Sequence, residues 1–194
     1  TVKAGEILGV AGIAGSGQVE LMAALAGETI LSDNNDCVRI DEEGVAAHGP
    51  GKRRRLGAVF VPEERNGHGA VPDLSLADNA FLTAFRRMNL VKGGLMQTAP
   101  TEAFARDIIQ TFDVRTTGPD AEAGSLSGGN LQKFIVGREV RQEPGVMAIN
   151  QPTWGVDAGA AAAIHQQLID LSARGAAVLV ISQDLDEIFA VCDH

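Results

Sequence analysis

The sequence predicts an α/β protein with a mostly parallel sheet, because short apolar runs alternate with segments of helical periodicity. Residues 6–11 form an apolar run that ends in a glycine-rich turn, and a helical pattern follows. Towards the other end of the chain, strand patterns at 146–149 and 177–182 flank a helical pattern at 158–173. Strands and helices that alternate at these lengths are typical of a parallel sheet with helices on both faces.

Three further elements complete the predicted core. A strand is expected at 58–62, where the apolar run ends at a proline that cannot continue the ladder of hydrogen bonds. One helix is predicted from about 130 to 141 and another from Asp184. The basic run 52–55 is short and leads straight into the apolar stretch, so we expect it to be a solvated entry to the strand.

The stretch 71–125 differs from the rest because its pattern is helical. A capping-box pattern opens one helix at Ser75, and Phe104, Ile108 and Phe112 recur every four residues on one face of the next. This block is therefore predicted to be a helical subdomain inserted into the sheet domain.

The whole chain, 1–194, is predicted to be a single domain. Its core would comprise 1–70 and 126–194, with the inserted subdomain at 71–125. The chain lacks an initiator methionine, begins almost on its first strand and ends just after a helix starts. We therefore expect it to be a piece of a longer protein, truncated at both ends.

Composition and charge exclude several classes of function. The formal net charge of −9 argues against a nucleic-acid-binding surface, which usually carries a basic footprint. No apolar run approaches the roughly 18 residues that span a bilayer, so direct membrane insertion is not expected. Cys37 and Cys192 lie far apart and lack the spacing of a metal site, which favours two free thiols in a reducing compartment.

A glycine-rich loop, GIAGSGQV at 12–19, joins the first strand to the first helix. Glycines let backbone N–H groups curl around a phosphate, and the following helix N-terminus adds partial positive charge. Gln18 stands where a P-loop has the lysine that reaches the phosphates, and Val19 stands where a hydroxyl binds magnesium. Taken alone, the loop fits a structural turn as well as it fits a phosphate site.

A second motif, LSGGN at 126–130, opens the helix predicted from about 130 and is more specific. Its serine and glycines expose a hydroxyl and N–H groups suited to an anion. About twenty residues later the apolar strand runs into a turn that contains Asp157, and VLVISQDLDE at 178–187 closes the set.

Together these motifs resemble the ABC ATPase family, and the resemblance covers the whole chain. LSGGN at 126–130 matches the family signature, 12–19 matches the Walker A loop, and 146–151 matches the Walker B strand with its following residue. The remaining matches are the Q-loop at 62–63, the D-loop at 155–157 and the switch-histidine position at 182–183. The resemblance implies a P-loop NTPase fold with a RecA-like core.

The patterns at 60–65 and 126–133 look most like the second ATPase domain of tandem proteins that energise bacterial importers of simple sugars and nucleosides. The segments 67–72 and 151–156 resemble the nucleoside branch. The resemblance implies a second ABC domain paired head to tail, membrane permease subunits, and a cytoplasmic location on the inner face of the cell membrane.

The departures from the family pattern fall on positions that handle metal, charge and water. Asn150 stands for the Walker B aspartate and Gln151 for the adjacent catalytic glutamate, and an amide neither binds magnesium strongly nor accepts a proton. Glu63 replaces the Q-loop glutamine, and Gln183 replaces the switch histidine. Since phosphoryl transfer depends on positioning and charge, we predict no hydrolysis at this site and weak binding of ATP or ADP, if any.

The predicted site residues fall into four groups by role. The nucleotide-binding positions are Gly12, Gly15, Ser16, Gly17, Gln18 and Val19. The degenerate catalytic positions are Glu63, Gln151 and Gln183, and the degenerate metal positions are Val19 and Asn150. The signature residues are Leu126, Ser127, Gly128, Gly129 and Asn130, with Asp157 in the D-loop.

The resemblance implies that this signature completes the ATP site on a partner's Walker A loop, which would also hold the magnesium. The chain would then be the non-catalytic half of an importer motor. Two alternatives stay open: a weakly active ATPase in its own right, and an ABC interaction module outside transport. We expect Gly129 and Gln18 to lie at the surface.

Overall fold

The computed structural model describes residues 1–31 and 35–194, so residues 32–34 of the predicted core 1–70 lie outside the described residues. The helices are α1 (Gln18–Ala26), α2 (Pro50–Arg55), α3 (Leu76–Ala84), α4 (Thr98–Thr111), α5 (Gly128–Val140), α6 (Ala158–Ala173) and α7 (Leu185–Val191). The strands are β1 (Ile7–Ala11), β2 (Arg39–Ile40), β3 (Glu43–Gly44), β4 (Ala58–Val61), β5 (Val91–Lys92), β6 (Leu95–Met96), β7 (Val146–Asn150) and β8 (Ala177–Ser182). Two short 3-10 helices cover Asn35–Cys37 and Ala123–Ser125.

The main sheet has the strand order β1-β8-β7-β4, and each neighbouring pair runs parallel. In its register Ile7 lies opposite Val178, and Ala58 lies opposite Val146. The predicted α/β class with a parallel sheet is therefore confirmed. Because all the strands point the same way, their carboxyl ends meet at one edge, where open α/β sheets usually bind ligands.

The first of two compact units contains this sheet and comprises Thr1–Glu63, Pro144–Pro152 and Leu168–His194. Helix α1 packs on β4 and β7, and α7 packs on β1 and β8. Met22 on α1 joins Phe60 and Ala148 of the sheet in a hydrophobic core. Among the described residues, none of the helices combines the length and apolar character that crossing a bilayer requires.

The basic run 52–55 is not the solvated strand entry that we expected. It forms most of helix α2, and the side chain of Arg53 is fully buried. Its guanidinium donates to the carbonyl oxygens of Ala24 and Leu25 in the last turn of α1, and also to those of Ala46 and His48. The last carbonyls of a helix lack intrahelical partners and carry partial negative charge, so this cation caps α1.

Replacing Arg53 with methionine should therefore destabilise the chain strongly. The change keeps the apolar stem but leaves several buried carbonyl groups without a donor, which we expect to cost about 2–4 kcal/mol in free energy of unfolding. Urea denaturation followed by circular dichroism measures it. Arg55→Met, at an exposed position of the same helix, should change the stability by less than about 0.5 kcal/mol. Equal stability of the two variants would contradict the capping role.

The second unit comprises Glu64–Glu143 and Thr153–Gln167, so it includes the first part of helix α6. Helices α3, α4 and α5 pack on one another. The predicted apolar face is buried at Phe104, Ile108 and Phe112. The predicted cap is also present, since Ser75 Oγ accepts the N–H of Asp78 at 3.0 Å.

This unit is larger than the subdomain predicted at 71–125, because α5 belongs to it. A Cβ on Gly137 would lie 2.7 Å from the ring of Phe112, so this glycine allows α5 to approach the end of α4 closely. On the same helix Arg138 and Glu139 form a buried ion pair with a 2.9 Å contact. The unit thus has its own packed core.

Candidate functional site

The carboxyl edge of the sheet brings together the predicted nucleotide-site positions of the first unit. The glycine loop follows β1, Glu63 lies two residues after the end of β4, Asn150 ends β7, and Gln183 follows β8. Gln151 comes directly after Asn150 and has a φ of +54°, a conformation uncommon for a residue with a side chain. The sheet therefore assembles the loop, Walker B, Q-loop and switch positions at one edge.

Two residues of the glycine loop have left-handed backbone conformations that favour glycine, with φ of +81° at Gly15 and +94° at Gly17. Its interior, however, is filled by the side chain of Gln18. The Gln18 amide donates to the carbonyl of Ile13 at 2.7 Å, and its oxygen accepts the N–H of Ser16 at 3.1 Å. Gln18 is only 8% exposed, so the expectation that it lies at the surface was wrong. The glutamine bonds to its own loop instead of pointing outward.

This loop does not fit the triphosphate of a nucleotide in the usual way. One N–H group of the cradle, that of Ser16, is already bonded. Val19, at the position of the magnesium-binding hydroxyl, is apolar and 60% exposed. The loop segment 12–19 also contains no basic side chain. The loop therefore lacks the charged and metal-binding groups on which phosphoryl transfer depends.

Removing the Gln18 side chain should improve anion binding at the loop. Gln18→Ala removes one of the two acceptors of the Ser16 N–H, which also donates to the Ile13 carbonyl at 3.2 Å. A stronger hydrogen bond from this N–H to a charged acceptor, at about 1 kcal/mol, corresponds to roughly five-fold tighter binding of pyrophosphate. Isothermal titration of the chain with pyrophosphate measures this. Glu20→Ala removes an acidic side chain near the loop but leaves both Gln18 hydrogen bonds in place, so it shows the effect of charge alone on the affinity for pyrophosphate. Equal pyrophosphate affinity of Gln18→Ala and the original chain would contradict this description.

The Walker B position carries two buried amides where the family has two acids. Asn150 is 1% exposed, and its amide lies 3.5 Å from the Oε2 atom of Glu63. Asn150 Oδ1 and Gln151 Nε2 are buried without a hydrogen-bond partner among the described residues. Two neutral amides can be buried here at far lower cost than two unpaired carboxylates.

The donor set at this edge does not fit a magnesium site. Glu63 is the carboxylate beside Asn150, and Asn150 itself offers only a neutral oxygen. Within residues 1–31 and 35–194, no group of three or more His, Cys, Asp or Glu side chains could hold a metal ion. Magnesium usually binds through one or two carboxylates together with substrate phosphates, and the loop 12–19 offers those phosphates no basic side chain.

The predicted signature residues lie together in the second unit. Ser127 is the exposed N-cap residue of α5 and makes no side-chain bond to the helix backbone. The Asn130 amide donates to Ser127 Oγ at 2.9 Å, and its oxygen accepts the N–H of Arg115 at 2.9 Å. With its oxygen accepting from Asn130, the Ser127 hydroxyl is left to donate its own proton outward. The first turn of α5 carries no acidic residue, so its free N–H groups form a face suited to an anion.

The D-loop lies beside this face within the same unit. A Cβ on Gly129 would lie 3.8 Å from the Cα of Val156. Asp157 accepts the N–H of Ala160 at 3.0 Å, and this hydrogen bond, together with the charge of Lys133, holds the pKa of Asp157 below its usual range. Asp157 is therefore an exposed carboxylate that caps helix α6.

An open cleft of about 560 Å³ runs along these motifs. Its lining includes Ser127, Gly129, Asn130, Lys133 and Asp157. All of its walls belong to the second unit. The signature and D-loop positions thus share one polar surface.

Sequence reasoning missed two features of these sites. The sequence shows that the lysine is missing at position 18, but it does not indicate that the Gln18 side chain turns into its own loop. The bond between Ser127 and Asn130 could have been anticipated, since residues three apart at a helix start lie close together. Trp154, which directly precedes Gly155 of the predicted D-loop, is 60% exposed.

Known proteins resemble this chain in sequence and in fold. No family model matches the chain. It is 38% identical over 196 residues to the glucose import ATP-binding protein of Haloferax volcanii, and 39% identical over 193 residues to the nucleoside import ATP-binding protein of Lactococcus lactis. Both similarities cover 100% of this chain, but the chain spans only 35% and 38% of the length of those relatives.

Two solved structures show the same fold. An ATP-binding subunit of an ABC transporter matches with a TM-score of 0.77 at 21% identity, over 100% of this chain and 74% of that chain. A dimeric ATP-binding cassette in a post-hydrolysis state with ADP and phosphate matches with a TM-score of 0.78 at 20% identity, over 96% of this chain and 78% of that chain. The chain therefore has the fold of an ABC-type P-loop ATPase and is similar, over its whole length, to part of import ATP-binding proteins.

Proposed function

We propose that this chain is an ATP-binding-cassette domain of an importer for simple sugars or nucleosides. In this proposal it is the second of two tandem ATPase domains and the half that does not hydrolyse ATP. The similarity to glucose and nucleoside import ATP-binding proteins over the full chain supports the transport role. The proposal extends to the whole protein, of which this chain would be about a third.

The contrast between the two sites carries the proposal. The chain's own phosphate loop is filled by Gln18, and the Walker B position carries Asn150 and Gln151 instead of acids. The signature, by contrast, keeps its serine hydroxyl, its two glycines and an open helix N-terminus. A domain that serves a partner needs the second site but not the first.

The proposed partners follow from this arrangement. A second ABC domain, paired head to tail, would supply a complete phosphate loop and the magnesium, and Ser127 and Gly129 would complete that site. Closure of the pair around ATP would drive membrane permease subunits. The domain would therefore work in the cytoplasm, peripheral to the inner face of the cell membrane.

Nucleotide binding by the chain alone should be weak and insensitive to magnesium. The lysine charge, the hydroxyl ligand and the Walker B carboxylate are all replaced, so we expect a Kd for ATP above about 1 mM, whose binding free energy is only about −4 kcal/mol. Isothermal titration with ATP, with and without magnesium, tests this expectation. Micromolar affinity that depends on magnesium would refute the proposal for this site.

A phosphate-release assay on the purified chain separates this proposal from a stand-alone ATPase. We expect no turnover above the background of the buffer, because several groups that stabilise the transition state are absent together. Steady magnesium-dependent release of phosphate by the chain alone would favour the weakly active enzyme instead.

A further inference from the structure

Arg65 is held rigidly at the start of the second unit. The N–H of Ala70 donates to the Arg65 carbonyl at 2.6 Å, and the N–H of Gly69 donates to the Glu64 carbonyl at 2.9 Å. Arg138 of helix α5 donates to the Gly69 carbonyl at 2.9 Å. This short loop is thereby tied to α5, so the Arg65 backbone has a fixed place relative to the signature helix.

The guanidinium of Arg65 lies between the signature helix and the D-loop. Its Nε donates to Oε1 of Gln132 on α5 at 3.0 Å. A Cβ on Gly128 would lie 3.0 Å from Nη1, and a Cβ on Gly155 would lie 3.5 Å from Nη2. Glycine at these two positions, one in each motif, therefore leaves the space that the planar guanidinium occupies.

The far end of this side chain is not saturated with hydrogen bonds. Arg65 Nη2 is buried and has no hydrogen-bond partner among the described residues. Burial lowers the pKa of Arg65, although a guanidinium remains charged at neutral pH. A buried donor without a hydrogen-bond partner costs free energy. The other contacts of the Arg65 side chain must offset that cost.

We infer that Arg65 is a positioning residue that sets the D-loop, 155–157, against the first turn of helix α5. Its planar group fills the gap between Gly128 and Gly155, so that Ser127 and Asp157 present one fixed surface. The functional consequence of this role rests on the function proposed above, because that surface would complete a partner's ATP site. The packing role itself does not depend on that function.

Trp154 provides a direct probe of this role. It is the one tryptophan in the sequence, which has no tyrosine, and it adjoins Gly155 in the D-loop. Time-resolved fluorescence anisotropy of the 194-residue chain therefore reports the nanosecond motion of this loop. In Arg65→Met, the amplitude of the fast local rotation of Trp154 should increase about two-fold, because the loop loses its rigid support.

Two further variants make the test specific. Arg65→Lys keeps the charge but not the planar fork, so it should restore only part of the loss of rigidity. Arg55→Met is the matched control at an exposed position of α2, and it should leave the anisotropy of Trp154 unchanged. Unchanged anisotropy in a folded Arg65→Met chain, with its circular dichroism intact, overturns the inference.

Gly128→Ala tests the same contact from the other side, and it decides the matter if Arg65→Met does not fold. The added Cβ would lie 3.0 Å from Nη1 and must displace the guanidinium. We expect the motion of Trp154 to change in this variant, and no change to occur when the same substitution is made at Gly51, where a Cβ meets no atom within 4 Å. Identical Trp154 signals in Gly128→Ala and Gly51→Ala overturn the inference.

Activity of the intact transporter separates this inference from the proposed function. Arg65→Met should lower the kcat for ATP hydrolysis about ten-fold with the KM for ATP within about two-fold, as expected for misplacement of groups rather than loss of binding. A silent Gly129→Asp variant in the same assay would refute the proposed function, while the anisotropy of Trp154 would still decide the role of Arg65. Full activity of Arg65→Met where Gly129→Asp is inactive overturns the functional part of the inference.

Discussion

Gly129→Asp should abolish both transport and ATP hydrolysis by the intact protein. The aspartate adds bulk and negative charge at the start of α5, on the surface that would face the phosphate of a nucleotide bound to a partner. Loss of one preorganised donor to a developing charge costs about 10²–10³ in rate, and a repelling carboxylate should cost at least as much. The measurement is ATP turnover of the purified transporter in lipid vesicles, together with uptake of its solute.

Two controls interpret that result. Gly129→Ala adds only a Cβ, which would lie 3.8 Å from Val156, an ordinary packing distance. The alanine variant should therefore fold normally and lose less activity than the aspartate variant. Gln18→Ala changes the chain's own loop and should leave both activities close to normal. Inactivity of Gln18→Ala with full activity of Gly129→Asp would mean that the roles of the two sites are reversed.

Much of the fold could be predicted from the periodicity of apolar residues. Helix α6 and strand β8 have the predicted bounds, Ala158–Ala173 and Ala177–Ser182, because each has a long and regular pattern. Helix α2 was missed, since a run of basic residues has no apolar face to indicate a helix. The burial of Arg53 depends on the carbonyl groups of Ala24 and Leu25, which come near it only once α1 has folded.

Topology decides where some of the predicted residues lie, and single side chains decide the details around others, while the roles of these residues stay predictions. In a parallel sheet, residues that follow the strands must meet at one edge, so Glu63, Asn150 and Gln183 could be placed from their positions alone. The Gln18 side chain turns into the loop because it bonds to Ile13 and Ser16 there, and no sequence pattern indicates those two contacts. The place of Arg65 between two glycines requires contacts distant in sequence and could not be read from a motif.

The role of Asn130 leads to the second prediction with a large effect, for the variant Asn130→Asp. The carboxylate can still accept the N–H of Arg115, so the local fold should persist. Its second oxygen, however, would face Ser127 Oγ, where the amide now donates at 2.9 Å. The serine proton would then be donated to the aspartate and lost to the partner's phosphate, and a negative charge would lie close to that phosphate.

We therefore expect Asn130→Asp to lower the kcat for ATP hydrolysis by the intact protein about 10- to 100-fold, the range that follows from misplacing one catalytic contact. Asn89→Asp makes the same chemical change at an exposed position where Asn and Asp both tolerate the positive φ, and it should be silent. Circular dichroism of the chain should be unchanged in both variants, because neither removes a bond from the helix backbone. If Asn130→Asp retained full turnover, the Ser127 hydroxyl would not be the group that this amide orients, and the signature would have to act through its backbone N–H groups alone.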